Sequence, residues 1–346
     1  MKRKNNVFKY FIGIITCAFV VCNLQFSAVP MHIVSHGAII TEGRAECVME
    51  LNSRRILYEK QGDLRLPMAS TTKIATAITV LNTRQDVHAE VTIPPEAVGI
   101  EGSSVYLKAG DVYSVEDLLY GLMLRSGNDC ATALALYTSG SIRDFAVEMN
   151  QTAQKAGALQ TNFKNPHGLP CNGHYTTARD LSLISCYAMQ NAMFRKIVST
   201  KYYEPRHWKN KNKMLEVYEG GIGVKTGYTK EAGRCLVSAA ERGEMSLVCT
   251  VLNCSNTYER SMALFDDAFS MYSYEKLLEN NEKIEVAQGE RREIGYTREE
   301  FFYPLMEGEK ELVERRIIPI FQKEIIGQIQ IWLAKRLLFS TNLYKL

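Results

Sequence analysis

Hydrophobic positions near the start of the chain follow two different periods. Residues 45–60 alternate apolar and polar positions around Asn52-Ser53, which predicts a hairpin of two strands. Apolar residues at helical spacing begin after Ser70. A second helical run follows Ser114, which has Asp117 three residues later, as in a helix capping box. This order predicts a strand hairpin followed by helices.

Helices are predicted to continue through the middle of the chain before strands return. Further helical segments are expected after Asp129 and over residues 176–200. Three strands and one more amphipathic helix are then predicted, over residues 220–229, 233–242, 246–254 and 258–269. Strands at both ends that enclose helices in the middle are typical of an α+β fold with an antiparallel sheet.

The composition changes after about residue 276 to short strands separated by glycines. Strands are predicted over residues 283–286, 313–320, 328–333 and 337–344. The segment therefore resembles a small all-β module. We expect three parts in the chain: residues 1–30 as a signal peptide or N-terminal membrane anchor, 31–275 as the α+β domain, and 276–346 as a small β-rich domain.

The N-terminus has the pattern of an export signal. Lys2-Arg3-Lys4 precedes an apolar run over residues 10–22, and no Asp, Glu, Lys or Arg occurs between Tyr10 and Thr41. Cleavage near Ala28 and retention as an anchor both stay open, because a membrane span needs about 20 apolar residues. A buried core strand is the alternative. We expect an exported protein in the cell wall or at the outer face of the cytoplasmic membrane.

Composition and charge exclude several classes of protein. Of 346 residues, 46% are hydrophobic and 23% are charged, as in a globular protein with a sizeable core. A net charge of +3, from 41 basic and 38 acidic residues, gives no reason to expect a nucleic-acid partner. Most of the seven cysteines that follow the N-terminal apolar run are expected to be buried thiols. Cys171 and His174 form a lone CxxH, but we expect neither a metal nor a cofactor.

The first chemical motif is Ser70-Thr71-Thr72-Lys73 at the start of a predicted helix. Residues three apart on a helix lie on one face, so the Lys73 amine can reach the Ser70 hydroxyl. A serine hydroxyl becomes a good nucleophile when an adjacent base takes its proton. A lysine can be that base when burial or neighbouring cations lower its pKa.

Two further motifs follow in a fixed order. Ser126-Gly127-Asn128 lies in a predicted turn between helices, where a hydroxyl could relay a proton and an amide could hold a substrate carbonyl. Lys225-Thr226-Gly227 lies on a predicted strand, where it offers a cation, a hydroxyl donor and a position for close backbone approach. The set SxxK, SxN and KTG, here separated by 56 and 99 residues, is that of penicillin-binding proteins and class A β-lactamases.

From about residue 43 to its C-terminus the chain resembles the low-molecular-mass penicillin-binding proteins, which are serine D-alanyl-D-alanine carboxypeptidases of the S11 type. The resemblance extends to LYEK at 57–60, FKNPHGLP at 163–170, HYTTARDL at 174–181, GIGVKTGYTKEAG at 221–233 and the closing segment from residue 327. It implies a β-lactamase/transpeptidase-like catalytic domain, with an antiparallel sheet and a helical cluster, followed by a small all-β C-terminal domain.

The resemblance also implies roles for the residues of the motifs. Ser70 is the expected acylated nucleophile and Lys73 its general base. Ser126 and Lys225 are expected to complete the proton relay, and Asn128 to hold the substrate amide.

Further residues are expected to bind the substrate. The backbone N–H groups of Ser70 and Tyr228 are the implied oxyanion hole, and the substrate is expected to lie along the strand that carries Thr226 and Gly227. Arg260 occupies the position at which similar enzymes place an arginine for the substrate's terminal carboxylate.

Three residues depart from the family pattern. Cys130 stands where alanine is usual, and Cys171-Asn172 where an acidic residue is often found. His167 is expected to order its loop rather than to act in catalysis.

The expected reaction removes the terminal D-alanine from peptidoglycan stem pentapeptides through an acyl-enzyme that β-lactam antibiotics also form. The alternatives are a β-lactamase, which would need a Glu that residues 165–180 lack, and a non-catalytic wall scaffold, against which the intact motifs argue. The expected partners are the stem peptide and β-lactams as covalent inhibitors, and the expected state is a monomer.

Overall fold

The computed structural model describes residues 41–345, so the predicted signal or anchor at residues 1–30 lies outside the described residues. In chain order the first elements are β1 (Ala45–Glu50), β2 (Ile56–Lys60), α1 (Lys73–Thr83), β3 (Glu90–Thr92), β4 (Val112–Ser114), α2 (Val115–Tyr120), α3 (Asn128–Ser139), α4 (Ile142–Ala156), α5 (Ala178–Met189) and α6 (Ala192–Ser199). They are followed by β5 (Tyr202–Tyr203), β6 (Trp208–Lys209), α7 (Met214–Val217), β7 (Gly221–Thr229), β8 (Gly233–Arg242), β9 (Met245–Leu252) and α8 (Thr257–Met271). The last elements are β10 (Tyr272–Leu278), β11 (Lys283–Gln288), β12 (Arg291–Tyr296), β13 (Phe301–Met306), β14 (Val313–Pro319), β15 (Ile325–Leu333) and β16 (Arg336–Lys345).

A five-stranded antiparallel sheet in the order β2-β1-β9-β8-β7 forms the centre of the catalytic region. Helices cover both of its faces, α1 and α5 on one side and α8 on the other. Because both faces of the sheet are covered, all eight residues of β9 are buried. Val248 packs on the α1 side and Leu247 on the α8 side. Strand β9, whose two polar residues are Ser246 and Thr250, is therefore buried on both faces.

The helices largely follow their sequence signals. The Ser114 hydroxyl caps α2 by accepting a hydrogen bond from the Asp117 N–H at 3.0 Å, as predicted. The segment predicted as helical over residues 176–200 is divided into α5 and α6, because the Asn191 side chain caps a new helix by accepting from the Phe194 N–H at 3.0 Å. Helix α4 and the short strands β3 and β4 were not among the predicted elements.

The C-terminal residues form a second five-stranded sheet, in the order β11-β12-β16-β15-β14, with its own apolar core. Strands β10 and β13 pair as a separate two-stranded sheet. Arg55 donates to the Pro304 carbonyl of β13 at 2.7 Å. The α+β fold with a C-terminal all-β region is thus confirmed. The division predicted at residues 275 and 276 falls inside β10 and stays a prediction.

Two further features concern the described residues only. Between residues 41 and 345, no helix combines the length and the apolar character that crossing a membrane requires. The seven cysteines of this part of the chain are free thiols, and six of them are buried while Cys171 is exposed.

Candidate active site

Ser70 lies on a tight 3-10 turn, Ala69–Thr72, directly before α1. Two hydroxyls stabilise the turn: Thr71 Oγ1 donates to the Met68 carbonyl at 2.6 Å and Thr72 Oγ1 donates to the Ala69 carbonyl at 2.8 Å. Ala69 itself has a φ of +49°, in the left-handed region that non-glycine residues rarely adopt. Such strain persists where the surrounding structure enforces it, and here it fixes the backbone beside the nucleophile.

The Lys73 amine lies at the centre of the site and is fully buried. Its Nζ is 3.0 Å from Ser70 Oγ, 2.6 Å from Asn128 Oδ1 and 2.7 Å from the His167 carbonyl oxygen. Burial, followed by the charge of Lys225, holds the pKa of Lys73 well below its usual range.

A neutral lysine amine has two N–H donors and one lone pair. The Asn128 and His167 oxygens can only accept hydrogen bonds, so they take the two N–H groups of Lys73. The lone pair is then left for the hydroxyl proton of Ser70. The geometry therefore presents Lys73 as a base toward Ser70 rather than as a donor.

The loop at residues 165–169 brings the His167 carbonyl to Lys73. Asn165 Oδ1 accepts from the Gly168 N–H at 2.7 Å, and its Nδ2 donates to the Leu169 carbonyl at 2.9 Å. Gly168 has a φ of +87°, and a Cβ there would lie 1.9 Å from the Ala69 carbonyl oxygen. Only glycine therefore allows the loop to lie this close to the nucleophile turn.

His167 contributes its backbone oxygen while its ring orders the loop. Its Nδ1 accepts a hydrogen bond from the Leu169 N–H at 3.2 Å. Burial lowers the pKa of His167 to about 3, so the imidazole is neutral at physiological pH. This arrangement agrees with the expectation that His167 orders the loop.

His174 connects the same loop region to the turn that carries the nucleophile. Its Nδ1 accepts from the Lys164 N–H at 3.0 Å, and its Nε2 lies 3.0 Å from Thr72 Oγ1. Since the Thr72 hydroxyl already donates to a carbonyl, His174 must donate from Nε2. Burial lowers the pKa of His174 to about 4, which agrees with this neutral form. Among residues 41–345, no three His, Cys, Asp or Glu side chains cluster as metal ligands would.

The second motif ends a π-helical turn and starts α3. Ser126 is buried and has a φ of +65°. The Asn128 side chain connects two parts of the site: its Oδ1 accepts from Lys73, and its Nδ2 donates to the Glu101 carbonyl at 2.5 Å. The Asn128 N–H also donates to the Ser103 carbonyl at 2.7 Å. Both ends of the amide thus contact protein, and its contact with a substrate amide stays a prediction.

Asp129, which was not among the predicted site residues, holds residues 104–107 beside Asn128. Its buried carboxylate accepts from the N–H groups of Val105 and Leu107 at 3.0 and 3.1 Å, and from Ser104 Oγ at 2.5 Å. Between these contacts Tyr106 is forced outward, with a φ of +66° and an exposure of 85%. Apart from its position next to the SxN motif, nothing in the sequence indicates that Asp129 makes these hydrogen bonds.

The third motif lies on β7, at the edge of the central sheet. A Cβ on Gly227 would lie 3.1 Å from the backbone nitrogens of both Ser70 and Thr71, so the strand and the nucleophile turn are in close contact. Tyr228 is the next residue along the strand, so its N–H and that of Ser70 stay the predicted oxyanion donors. Thr226 is half-buried on the same strand.

Lysines other than Lys73 contribute positive charge to the site. Lys225 is buried, and its Nζ donates to the Thr226 carbonyl at 2.9 Å. Burial, followed by the charge of Lys211, lowers the pKa of Lys225 to about 7. The Lys211 N–H donates to the Leu124 carbonyl at 3.1 Å, two residues before Ser126, which places this third lysine near the site. The sequence reasoning missed Lys211, because it belongs to none of the three motifs.

Arg260 is not brought into this site, which corrects its expected role as carboxylate anchor. Its guanidinium forms a two-pronged ion pair with Glu46 on β1, at 2.8 and 2.6 Å, and donates to the Tyr58 hydroxyl on β2 at 3.0 Å. Arg260 is 1% exposed and lies on α8, which covers the sheet face opposite α1. Strands β9 and β8 separate β1 from β7, a distance of about 14 Å at roughly 4.8 Å per strand.

Cys130, one of the departures from the family pattern, is accommodated in the core. Its Sγ lies 2.7 Å from the position that a Cβ on Gly121 would occupy and 3.0 Å from that on Gly127. The two glycines thus provide the space for the thiol. Burial, followed by the charge of Asp129, raises the pKa of Cys130 well above its usual range, so the thiol stays neutral.

A serine and a lysine amine in contact, between an antiparallel sheet and a helical cluster, define the chain as a penicillin-recognising serine enzyme. The family model described as D-alanyl-D-alanine carboxypeptidase, peptidase family S11, matches residues 34–256. The chain belongs to this family.

Individual relatives agree with this assignment. The D-alanyl-D-alanine carboxypeptidase DacF of Bacillus subtilis is 31% identical over 276 residues, which are 75% of this chain and 71% of that protein. A D-alanyl-D-alanine carboxypeptidase of a Streptomyces species, strain K15, is 41% identical over 219 residues, covering 57% and 75% of the two chains. The crystal structure of penicillin binding protein 5 from Haemophilus influenzae matches with a TM-score of 0.74 and 27% identity, over 90% of this chain and 98% of that one.

Proposed function

We propose that this chain is a serine D-alanyl-D-alanine carboxypeptidase that releases the terminal D-alanine from peptidoglycan stem pentapeptides. The observation that carries the proposal is the Lys73 amine, whose two N–H groups face the Asn128 and His167 oxygens and whose lone pair faces Ser70. The family and the names of its relatives support the same activity.

Acylation begins when Ser70 Oγ attacks the carbonyl carbon of the penultimate D-alanine, and Lys73 takes the hydroxyl proton. The negative charge on the carbonyl oxygen is stabilised by the N–H groups of Ser70 and Tyr228, each worth about 3–4 kcal/mol in the barrier. The C–N bond then breaks. The leaving amine of D-alanine receives the proton through Ser126 and the neighbouring lysines.

Deacylation repeats these steps with water as the nucleophile. Lys73, neutral again, takes a proton from water, and the hydroxide adds to the acyl carbon. The ester bond to Ser70 breaks, its oxygen regains a proton, and the shortened peptide leaves with a new carboxylate. A β-lactam acylates the same oxygen, but its leaving amine stays tethered to the acyl group, so the adduct is expected to persist.

The terminal carboxylate of the substrate needs a cation, and Arg260 is already paired elsewhere. Lys225 directly precedes Thr226 on β7, and the Lys211 N–H donates to the Leu124 carbonyl, two residues before Ser126, at 3.1 Å. We place the carboxylate between these lysines and the Thr226 hydroxyl, with the rest of the peptide along β7 as an added strand.

The enzyme acts outside the cytoplasmic membrane, where peptidoglycan lies, and the basic and apolar N-terminus would direct it there. We propose that any membrane attachment is through that segment and that the protein is a monomer.

A β-lactamase is not favoured by the site. The one carboxylate within residues 165–180 belongs to Asp180, which is buried and accepts hydrogen bonds from the Gln160 N–H at 2.6 Å and from Thr161 Oγ1 at 2.8 Å. These contacts hold the Asp180 carboxylate against the Gln160 N–H and the Thr161 hydroxyl.

The test measures D-alanine release from an acylated D-Ala-D-Ala peptide, alongside the same peptide with its terminal carboxylate amidated. We expect release from the free acid, much slower reaction of the amide, and none with Ser70→Ala. Hydrolysis of penicillin with rapid turnover and no release of D-alanine would instead identify a β-lactamase. Neither activity in a folded protein would identify a scaffold.

A further inference from the structure

A polar cleft of about 490 Å³ lies beside the nucleophile turn, and we call it the acyl-side cleft. Three chain segments line it: residues 65–67 before Ser70, residues 170–175 after the His167 loop, and Glu231 in the turn between β7 and β8. None of these residues belongs to the three catalytic motifs.

The cleft lies within reach of a bound peptide. Pro67 is three residues from Ser70, and Pro170 is three residues from His167, whose carbonyl contacts Lys73. Three residues span at most about 11 Å, so two walls of the cleft start within that distance of the reacting groups.

The direction of the substrate determines which part of it meets the cleft. With the terminal carboxylate near Lys225 and the scissile carbonyl at the Tyr228 N–H, the peptide runs antiparallel to β7. Its earlier residues then pass the end of β7 toward Glu231, at about 3.4 Å per residue. The residue before the acylated D-alanine therefore lies over the cleft.

The cleft contains one positive and one negative side chain, Arg65 and Glu231, that do not pair with other described residues. Within residues 41–345, neither Arg65 nor Glu231 has an ion pair or a side-chain hydrogen bond, although both are exposed in the same cleft. The Arg65 guanidinium lies 5.0 Å from the centre of the Tyr175 ring, which orients it. Nearby Arg179 differs, because it pairs with Glu59 and Asp63 at 2.6 and 2.9 Å.

We propose that the acyl-side cleft recognises a side chain ending in both an ammonium and a carboxylate, as in a diamino-dicarboxylic residue preceding D-Ala-D-Ala. The Arg65 guanidinium fork binds the carboxylate and Glu231 binds the ammonium. A side chain with an ammonium alone satisfies Glu231 and leaves Arg65 without a partner. This inference rests on the proposed carboxypeptidase function and adds the class of stem peptide that the enzyme prefers.

The kinetic test uses four peptides that end in D-Ala-D-Ala. The first carries the diamino-dicarboxylic residue, the second has that side-chain carboxylate amidated, the third carries lysine instead, and the fourth is a short reference without the residue. We expect Arg65→Gln to lower kcat/KM about 5- to 10-fold for the first peptide only, since the ion pair is partly exposed to water. Glu231→Gln should lower kcat/KM for the first three peptides but not for the reference.

Lys230→Gln is the matched control, because Lys230 is exposed next to Glu231 and does not line the cleft. It should change the four rates equally or not at all. If Arg65→Gln left the preference among the peptides unchanged, or lowered all four rates equally, the inference would be wrong while release of D-alanine would still support the carboxypeptidase.

A second measurement does not depend on turnover. Cys171 lines the cleft and is the exposed cysteine among the seven described. In full-length Ser70→Ala protein, binding of the first substrate peptide should slow the alkylation of Cys171. Mass spectrometry of the proteolytic fragment that contains Cys171 measures the extent of alkylation. The amidated peptide should protect less, and Arg65→Gln should remove the difference. Equal protection by both peptides, or none by either, would overturn the inference even if no substrate were hydrolysed.

Discussion

At the scale of single residues, the protonation states of two buried lysines control the chemistry. Lys73 must be neutral to take the Ser70 proton, and its burial beside Lys225 favours the neutral form. Lys225 is more useful as a cation, yet its pKa of about 7 means that it loses its charge near physiological pH. A rise in pH therefore favours the neutral Lys73 that acts as the base, but it removes the charge of Lys225.

Replacing Lys73 with Arg tests its role as a base. Lys73→Arg keeps a positive charge, but a guanidinium stays protonated in proteins. Acylation by penicillin should therefore fall by at least about 100-fold, the lower end of the usual contribution of a general base. Stopped-flow or gel-based labelling measures the rate. Lys155→Arg, at an exposed position of α4, is the control and should acylate normally; near-normal acylation of Lys73→Arg would exclude Lys73 as the base.

The pH profile of kcat/KM tests the charge of Lys225. As the pH rises through about 7, Lys225 loses its proton, so the attraction for the substrate carboxylate weakens and kcat/KM should fall on the alkaline side. Lys225→Arg keeps its proton, so the alkaline fall should disappear or move to higher pH even if the maximum rate is lower. An identical alkaline limb in both proteins would contradict this role.

The motif residues could be predicted from sequence because SxxK, SxN and KTG have fixed local geometry and a fixed order. The contacts that complete the site could not. Lys73 is oriented by a backbone oxygen of His167, 94 residues away, and backbone oxygens leave no trace in residue types. Asp129 acts on backbone N–H groups in the same way.

At the scale of elements, the coverage of the central sheet on both faces explains the incorrect role assigned to Arg260. The strand before it was expected to neighbour the KTG strand, but β8 lies between β9 and β7. A helix was correctly predicted after it. The face of the sheet that the helix covers depends on its connection in three dimensions. Helix α8 packs opposite α1, so Arg260 faces Glu46 and is buried there.

Removing the Arg260 guanidinium should therefore affect stability more than specificity. Arg260→Ala leaves Glu46 as a buried, uncompensated carboxylate, and breaking such a pair typically costs about 3–5 kcal/mol. Denaturant unfolding should show this loss, while the folded variant keeps its preference for a free terminal carboxylate.

The control is Arg292→Ala, which removes an exposed ion pair with Glu285 and should cost less than about 1 kcal/mol. Unchanged stability of Arg260→Ala together with lost carboxylate preference would restore Arg260 to the site.

At the scale of the whole molecule, the described chain combines the catalytic sheet with a C-terminal sheet that has a separate apolar core. Sequence predicted four of the C-terminal strands, because glycines and alternating apolar residues mark them. It missed β12, where three of six residues are charged, and β13, which contains Pro304. Neither strand alternates strictly between buried and exposed residues, the period-2 pattern on which such predictions depend.

The central claim is that Ser70, activated by Lys73, forms an acyl-enzyme, and mass spectrometry after incubation with benzylpenicillin tests it most directly. The intact protein should gain the mass of one penicillin, and after digestion the addition should lie on Ser70. Folded Ser70→Ala protein should gain nothing. An adduct on another residue, or equal labelling of Ser70→Ala, would contradict the account.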